Sequence, residues 1–259
     1  MTYTRLSVVI PVYNSQDSIS TVVNQLLIQY KYGYNLEIIL VNDGSLDRSA
    51  EICSTLELQN PNVTFMDLKR NFGQQVAIFK GLSVAAGDII ALMDDDMQTP
   101  PEELIKLLNK MNDGYDVVIG QRNEYNHTLF RRLISKYNAV VVNWLLDRQE
   151  AIHFSSFMVM KREIAKEIVS QAGANINIPA SIIQITDNIT NTSFNHRKRQ
   201  FGKSNYNFIK LFRVWVQAMF IIIKKAKRSR LLLLLLLLAC IAAGTIYLFV
   251  LLGDILARL

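Results

Sequence analysis

Three adjacent carboxylates, Asp94, Asp95 and Asp96, follow the apolar run "DIIALM" and precede "QTPP". Neighbouring carboxylates repel each other, so their pKa values rise unless a cation offsets the repulsion. Hard divalent ions such as Mg²⁺ or Mn²⁺ take carboxylate oxygens and themselves hold phosphates. In an extended segment Asp94 and Asp96 face one way and Asp95 the other, and Gln98 continues the first face. The stretch therefore predicts a divalent-metal site, with a solvated turn as the alternative.

A capped helix is expected to hold these carboxylates in place. In "TPPE", Thr99 has the residue type of an N-cap, Pro100 suits the first helical position, and Glu102 completes a capping box. The acidic residues would then lie between a buried strand and the start of a helix.

Two earlier segments, "IPVYN" and "VNDGSLDRS", also place polar residues where an apolar run ends. In an open α/β sheet, ligands bind at the carboxyl ends of the strands, so Asp43 in the second segment is a candidate binding residue. The alternative is that Asp43 only shapes a turn, because Asp-Gly is a common turn pair.

A basic segment lies far from these residues in the chain. "HRKRQFGK" contains His196, Arg197, Lys198, Arg199 and Lys203, a cluster suited to holding two phosphate groups together. The alternative is a basic face attracted to anionic lipids, and the two roles are compatible.

The elements that must position these groups alternate along the chain. Short apolar runs read as strands, namely "LSVVI", "LEIILV", "VTFMDL", "DIIALM" and "DVVIG". The stretches between them have helical spacing, at 15–30, 47–58, 73–86 and 102–112. This alternation predicts an α/β fold with a largely parallel sheet covered by helices on both faces. After Gly120 we expect a helix over 128–148, a strand turning into a helix in "SSFMVMKREIAKEIV", and a basic loop over 192–208.

The C-terminal part has the composition of a membrane anchor. Residues 231–252 contain no charge and begin with eight leucines, and about 22 helical residues cross a bilayer core. A buried soluble helix is the alternative. Residues 208–225 suit an interfacial helix, with a second span as the alternative. The basic flank at 224–230 predicts a cytoplasmic catalytic domain, with a bacterial inner membrane as its most natural location.

The remaining bulk properties fit this organisation. The net charge of +6 is concentrated beside the apolar span, which favours membrane topology over nucleic-acid binding. Cys53 and Cys240 suggest neither a disulfide nor a metal site. We expect no signal peptide, because the N-terminus runs directly into a strand. The predicted parts are a catalytic domain over 1–203, a juxtamembrane segment over 204–230, the span over 231–252 and a tail over 253–259.

Five segments together resemble the family 2 glycosyltransferases of the inverting GT-A type, in particular the polyprenyl-phosphate glycosyltransferases. They are "SVVIPVYN", "VNDGSLDRS", "RNFGQQVAIFKG", "MDDDMQTPPEE" and "HRKRQFGKSNY", which occur in the order and approximate spacing typical of that group. The resemblance covers about 6–212 and implies a GT-A fold, a nucleotide-sugar donor carrying UDP, GDP or dTDP, and bound Mg²⁺ or Mn²⁺.

The resemblance also implies roles for individual positions. Asp96 and Gln98 would hold the metal, and Asp94 would contact the nucleotide sugar. Asp94, Asp96, Arg199 and Lys203 are the catalytic candidates. The donor-binding candidates are Pro11, Tyr13, Asn14, Asp43, Arg70, Asn71, Gly73, Asp94 and Asp95. The candidates for the acceptor and the diphosphate are His196, Arg197, Arg199, Ser204 and Tyr206. "RNFG" has a purely structural strand-to-helix turn as its alternative.

The chain also departs from the group. Relatives often have an Asp-containing segment and an arginine where this chain has Ile152, His153 and Met158, so the acceptor or sugar side of the pocket is expected to differ. The anchor is shorter than in many relatives, and the "QxxRW" motif of processive synthases is absent.

The function implied is transfer of a sugar to undecaprenyl or dolichyl phosphate at the cytoplasmic membrane face, with membrane lipids as further partners and a homo-oligomer left open. A phosphate acceptor is already an anion, whereas a hydroxyl acceptor needs a general base. Transfer to a hydroxyl of a lipid-linked glycan, and an inert membrane scaffold that keeps the fold, are the alternatives.

Overall fold

Seven strands form one sheet in the computed structural model, which describes residues 4–122, 152–171, 176–195 and 197. The strands are β1 Arg5–Val12, β2 Asn35–Asn42, β3 Val63–Asp67, β4 Ile89–Leu92, β5 Val117–Arg122, β6 Met158–Lys161 and β7 Ile189–Phe194. The helices are α1 Ile19–Tyr30, α2 Ser49–Gln59, α3 Gln74–Val84, α4 Leu104–Met111, α5 Arg162–Ser170 and α6 Ile178–Ile185, and a 3₁₀ turn, Pro101–Glu103, precedes α4.

The strand order is β3-β2-β1-β4-β6-β5-β7. Strands β1 to β4 are parallel, and β7 is parallel to β5. Strand β6 is antiparallel to both of its neighbours, β4 and β5. The chain builds outward from β1 to β3 and then returns to the other side of β1 with β4, so the direction of winding reverses between β1 and β4. This reversal is the topological switch point at which open α/β sheets bind ligands.

Each face of the sheet is covered by helices. Alternate residues of β1 point to opposite faces: Val8 and Ile10 pack with α1, α2 and α4, whereas Val9 packs with α3, α5 and α6. All three side chains are fully buried. Strands buried on both faces are continuous in their apolar character, which explains the unbroken run "LSVVI". The predicted α/β class with helices on both faces is confirmed, and the sheet is mixed because of β6.

The predicted capping box is wrong. Pro100 has extended backbone angles, φ −65° and ψ 137°, and the 3₁₀ turn begins one residue later at Pro101, without a side-chain cap. A residue that precedes proline is disfavoured in the α region, so Pro101 keeps Pro100 extended and delays the helix. Thr99 is buried instead of capping.

Three other predictions have different outcomes. The strand that turns into a helix is confirmed as β6 and α5. The basic loop begins later than predicted, because β7 extends to Phe194. The Phe194 ring is buried and packs edge-on against the ring of Phe157, with 5.0 Å between the ring centroids. Helix α6 was not anticipated. The segments 128–148, 208–225 and 231–252 lie outside the described residues, and within the described ranges no helix is long and apolar enough to cross a membrane.

Gly44 brings the loop after β2 against the loop after β3. Its φ is +66°, and a Cβ placed there would lie 2.4 Å from the carbonyl carbon of Arg70.

We predict that Gly44→Ala lowers the free energy of unfolding by about 2–4 kcal/mol, measured by urea denaturation, because backbone strain and a backbone clash both act. Gly114 is the matched control, since its φ is +93° but nothing lies within 4 Å. Gly114→Ala should cost only about 1 kcal/mol; equal losses would contradict the close approach.

Candidate active site

The four loops at the carboxyl ends of β1 to β4 each contain a residue in the left-handed region of backbone space. These residues are Asn14, Gly44, Lys69 and Met97, with φ of 53°, 66°, 63° and 58°. Non-glycine residues seldom adopt this conformation, and those that do cluster at functional sites. The same edge holds the predicted donor and metal residues, so sequence motifs and backbone geometry indicate one site.

Asp95 fixes the loop that follows β1. Its Oδ2 accepts a hydrogen bond from the backbone N–H of Tyr13 at 3.0 Å and another from the Ser15 hydroxyl. Its carbonyl oxygen accepts from the Ser18 hydroxyl at 2.6 Å. Burial raises the pKa of Asp95 to about 7, against the lowering effect of the bonds from Ser15 and Tyr13. Asp95 was predicted among the donor-binding residues, and in this structure its carboxylate is occupied in joining β4 to β1.

Asp94 is held from two other elements. The Gln74 side chain donates from Nε2 to Oδ1 at 2.9 Å, at the start of α3, and the Ser156 hydroxyl donates to Oδ2 at 2.5 Å, just before β6. Burial raises the pKa of Asp94, and the nearby charge of Asp96 raises it further, whereas Ser156, Arg122 and Gln74 lower it. The carboxylate is half-buried and is oriented by fixed donors.

Asp96 and Gln98 form the last turn of the motif. The Asp96 Oδ1 accepts from the backbone N–H of Gln98 at 3.1 Å, and Met97 between them is the left-handed residue. Both polar side chains are half-buried. The carboxylate of one predicted metal residue therefore lies against the backbone of the other.

Asp43 holds the segment "RNFG". Its two carboxylate oxygens accept the backbone N–H groups of Phe72 at 2.7 Å and Gly73 at 2.9 Å, where α3 begins. Burial raises the pKa of Asp43, and these two bonds oppose that rise. The structure thus brings Asp43 and Gly73 together through a bond between loops. These two hydrogen bonds give both segments a structural role, the kind of role that was the alternative to donor binding for each of them.

The other predicted donor residues line the same edge. Pro11 is buried in β1 opposite Val41. The Asn14 side chain accepts from the Leu46 N–H at 2.8 Å, so it joins the loops after β1 and β2. Arg70 lies over the Phe72 ring at 4.4 Å, and Asn71 is exposed.

The basic segment is described only at Arg197. Its guanidinium contacts Glu102 at 2.5 Å, and its backbone N–H donates to the carbonyl oxygen of Gln98 at 2.9 Å. The residues His196, Arg199, Lys203, Ser204 and Tyr206 lie outside the described residues, so their roles stay predictions.

The segment that departs from the resemblance is part of the sheet. Met158 is buried in β6, and the Asn191 side chain bonds both backbone polar groups of His153, at 2.9 and 2.8 Å. Ile152 packs against the core on the side of α3. The position at which relatives often have an arginine is therefore occupied by the apolar side chain of Met158.

Sequence reasoning missed three side chains that act on Asp94, namely Gln74, Ser156 and Arg122. Gln74 lies within the quoted segment "RNFGQQ", and Ser156 lies within "SSFMVM", but neither motif assigns a partner. Arg122 lies two residues after the predicted strand "DVVIG", so its place near a carboxyl end was the available signal.

A helix-covered α/β sheet with adjacent carboxylates at its switch point is the arrangement of an enzyme that binds a nucleotide at the carboxyl ends of its strands. The chain belongs to the Glycosyl transferase family 2, which matches residues 7–169. This membership confirms the family resemblance.

One curated relative is undecaprenyl-phosphate 4-deoxy-4-formamido-L-arabinose transferase of Pectobacterium atrosepticum. It is 36% identical over 214 residues, which cover 80% of this chain and 64% of the relative. This chain therefore spans slightly less than two thirds of the relative's length.

Among solved structures, glucosyl-3-phosphoglycerate synthase of Mycobacterium tuberculosis in complex with phosphoglyceric acid aligns with a TM-score of 0.64 at 17% identity, covering 86% of this chain and 80% of that one. The same enzyme with Mn²⁺, UDP-glucose and phosphoglyceric acid aligns with a TM-score of 0.62 at 15% identity, covering 86% and 79%. These similarities show a shared GT-A-like fold.

Ser156→Ala tests the support of Asp94. Losing the hydroxyl should raise the pKa of Asp94 further, so the acidic limb of the pH–rate profile of kcat/KM should move to higher pH if the carboxylate form is required. We expect sugar transfer at neutral pH to fall about tenfold, because a hydrogen bond to a charged group is lost.

Ser155→Ala is the matched control. The Ser155 hydroxyl donates to the carbonyl oxygen of Gly120 at 2.7 Å, and the carbonyl oxygen of Phe157 lies within range at 3.0 Å. Its profile should keep the wild-type acidic limb. A shift of equal size in both variants would show that Asp94 is not the group affected.

Proposed function

We propose that this chain is a metal-dependent inverting glycosyltransferase that moves a sugar from a nucleotide sugar to a polyprenyl phosphate at the cytoplasmic face of a membrane. The observation that carries the proposal is the placement of Asp94 and Asp96 at the switch point, with the start of the basic segment bonded to Gln98 beside them. The Pectobacterium relative, whose name specifies an undecaprenyl-phosphate acceptor, supports the acceptor class.

The residues present fit a divalent cation. Within the described part of the chain no three His, Cys, Asp or Glu side chains group as a complete metal site. Burial is the main cause of the raised pKa of Asp94, and the charge of Asp96 adds to it. Carboxylate and amide oxygens suit Mg²⁺ or Mn²⁺, which take remaining ligands from water and substrate phosphates. Asp96 and Gln98 would hold the ion, and the bound ion would stabilise charge on the leaving diphosphate.

The reaction needs little acid–base chemistry from the protein. An oxygen of the acceptor phosphate forms a bond to the anomeric carbon, the bond from that carbon to the nucleoside diphosphate breaks, and the configuration inverts. The acceptor is an anion already, so no proton must be removed. The contributions of this chain are to orient the sugar, through an Asp94 fixed by Gln74 and Ser156, and to neutralise phosphate charge with the basic segment.

Membrane attachment is part of the proposal. The charge-free stretch 231–252 would span the bilayer, and the basic flank before it would keep the catalytic domain on the cytoplasmic side. An anchor of this kind would hold the active site near the plane at which a polyprenyl phosphate presents its head group.

A transfer assay distinguishes the acceptor classes. The full chain in membranes is given Mn²⁺, polyprenyl phosphate and, in turn, radiolabelled UDP-, GDP- and dTDP-sugars. The proposal expects label in the organic lipid phase only when polyprenyl phosphate is present. Label in polysaccharide, with none in the lipid phase, would show a hydroxyl acceptor instead. Absence of nucleotide-sugar binding by calorimetry would indicate an inert scaffold.

Asp96→Asn tests the metal assignment. We expect turnover at saturating Mn²⁺ to fall about a hundredfold, because a charged ligand at the leaving diphosphate is lost, while circular dichroism stays native. Asp113→Asn is the control, since Asp113 is exposed and pairs with Lys110 on the surface. Wild-type dependence on Mn²⁺ concentration in Asp96→Asn would refute the assignment.

A further inference from the structure

The chain that follows β7 is tied to the turn that follows the acidic motif. Asn195 donates twice to Glu103, from its backbone N–H at 3.1 Å and from Nδ2 at 3.2 Å. Two residues further on, the Arg197 N–H donates to the Gln98 carbonyl. These bonds connect segments more than 90 residues apart in sequence.

Glu103 is the buried member of this connection, with 7% of its surface exposed. Although burial opposes ionisation, the Lys106 ammonium and the Asn195 donors hold the pKa of Glu103 below its usual value. The carboxylate is therefore charged, and both of its oxygens are occupied. The neighbouring pair of Arg197 and Glu102 is half exposed and contributes little by itself.

Gln98 is the point at which this connection reaches the site. Its N–H donates to the Asp96 carboxylate, and its carbonyl oxygen accepts from Arg197. Both bonds are made by backbone groups of this one residue, so a shift at Arg197 acts directly on the turn that carries Asp96.

We propose that Glu103 is a positioning residue for sugar transfer: by holding Asn195 it fixes Arg197 against Gln98, and so sets the start of the basic segment beside Asp96. This inference rests on the proposed function for its catalytic consequence. Its structural content, the anchoring of Arg197, stands on the contacts alone.

Glu103→Gln tests both parts. The amide keeps the size of the side chain but replaces one acceptor oxygen with a donor, so it cannot accept both bonds from Asn195. We expect the Arg197 amide to exchange hydrogen about tenfold faster, because the local bond opens more often. We also expect kcat to fall about tenfold through misplacement, with the affinity for the donor nucleotide and Mn²⁺ within about twofold of wild type.

Two further variants separate positioning from general stability. Lys106→Met removes the ion pair with Glu103 but leaves the Asn195 donors in place, so well above neutral pH, where the carboxylate stays charged without the ammonium, it should retain kcat and exchange within about twofold. Asn195→Ala should reproduce the loss in Glu103→Gln. The double variant should be no worse than either single variant, because the two residues act through one contact.

Unchanged exchange at Arg197 in Glu103→Gln would overturn the anchoring. Faster exchange with unchanged kcat, or a parallel loss of nucleotide affinity, would overturn the positioning role. If the wild-type chain transfers no sugar to polyprenyl phosphate, the proposed function fails, and the exchange measurement still decides whether Glu103 anchors Arg197.

Discussion

Three carboxylates follow one another at the end of β4, and the loops around them are arranged to supply each with a separate set of donors. Asp95 takes N–H and O–H groups from the loop after β1, Asp94 takes side chains from α3 and from the segment before β6, and Asp96 takes a backbone N–H from its own turn. Like charges in a site of low solvent access are costly unless they are bonded or neutralised. The acidic motif is therefore the point that joins the elements at this edge.

The neighbouring loops are joined in the same manner. Asp43 bonds the loop after β3, and Asn14 bonds the loop after β2. Left-handed residues in all four loops turn the chain sharply enough for these bonds to form, at a cost in backbone strain of order 1–3 kcal/mol for each non-glycine residue. Donors fixed before a substrate arrives need no reorganisation during reaction, which is the condition for electrostatic catalysis. The backbone strain therefore lies in the same loops whose donors need a fixed geometry.

Local patterns predicted the parts of this arrangement that depend on local physics. Apolar runs bounded by polar residues marked the strands, and the position of the carboxylates after one of these runs placed them at the carboxyl end of β4. The residues that orient Asp94 could not be found in this way, because Gln74 and Ser156 are 20 and 62 residues from it in sequence. The capping-box prediction was wrong for a reason that the sequence contains: Pro101 disfavours helical backbone angles at the residue before it. The apolar sequence of β6 does not indicate whether the strand runs parallel or antiparallel to its neighbours. Its antiparallel pairing was therefore not predicted.

The buried Met158 bears on what is particular to this chain. It pairs with Leu92, the last residue of β4, and with Ile119 of β5, so a buried apolar side chain lies level with the carboxyl end of β4, next to the acidic motif. The charge of Arg122, the last residue of β5, lowers the pKa of Asp94. Arg122 is exposed, so its charge remains in contact with solvent at this strand end. Asp94 is therefore surrounded by one exposed arginine and by two neutral hydrogen-bond donors, Gln74 and Ser156.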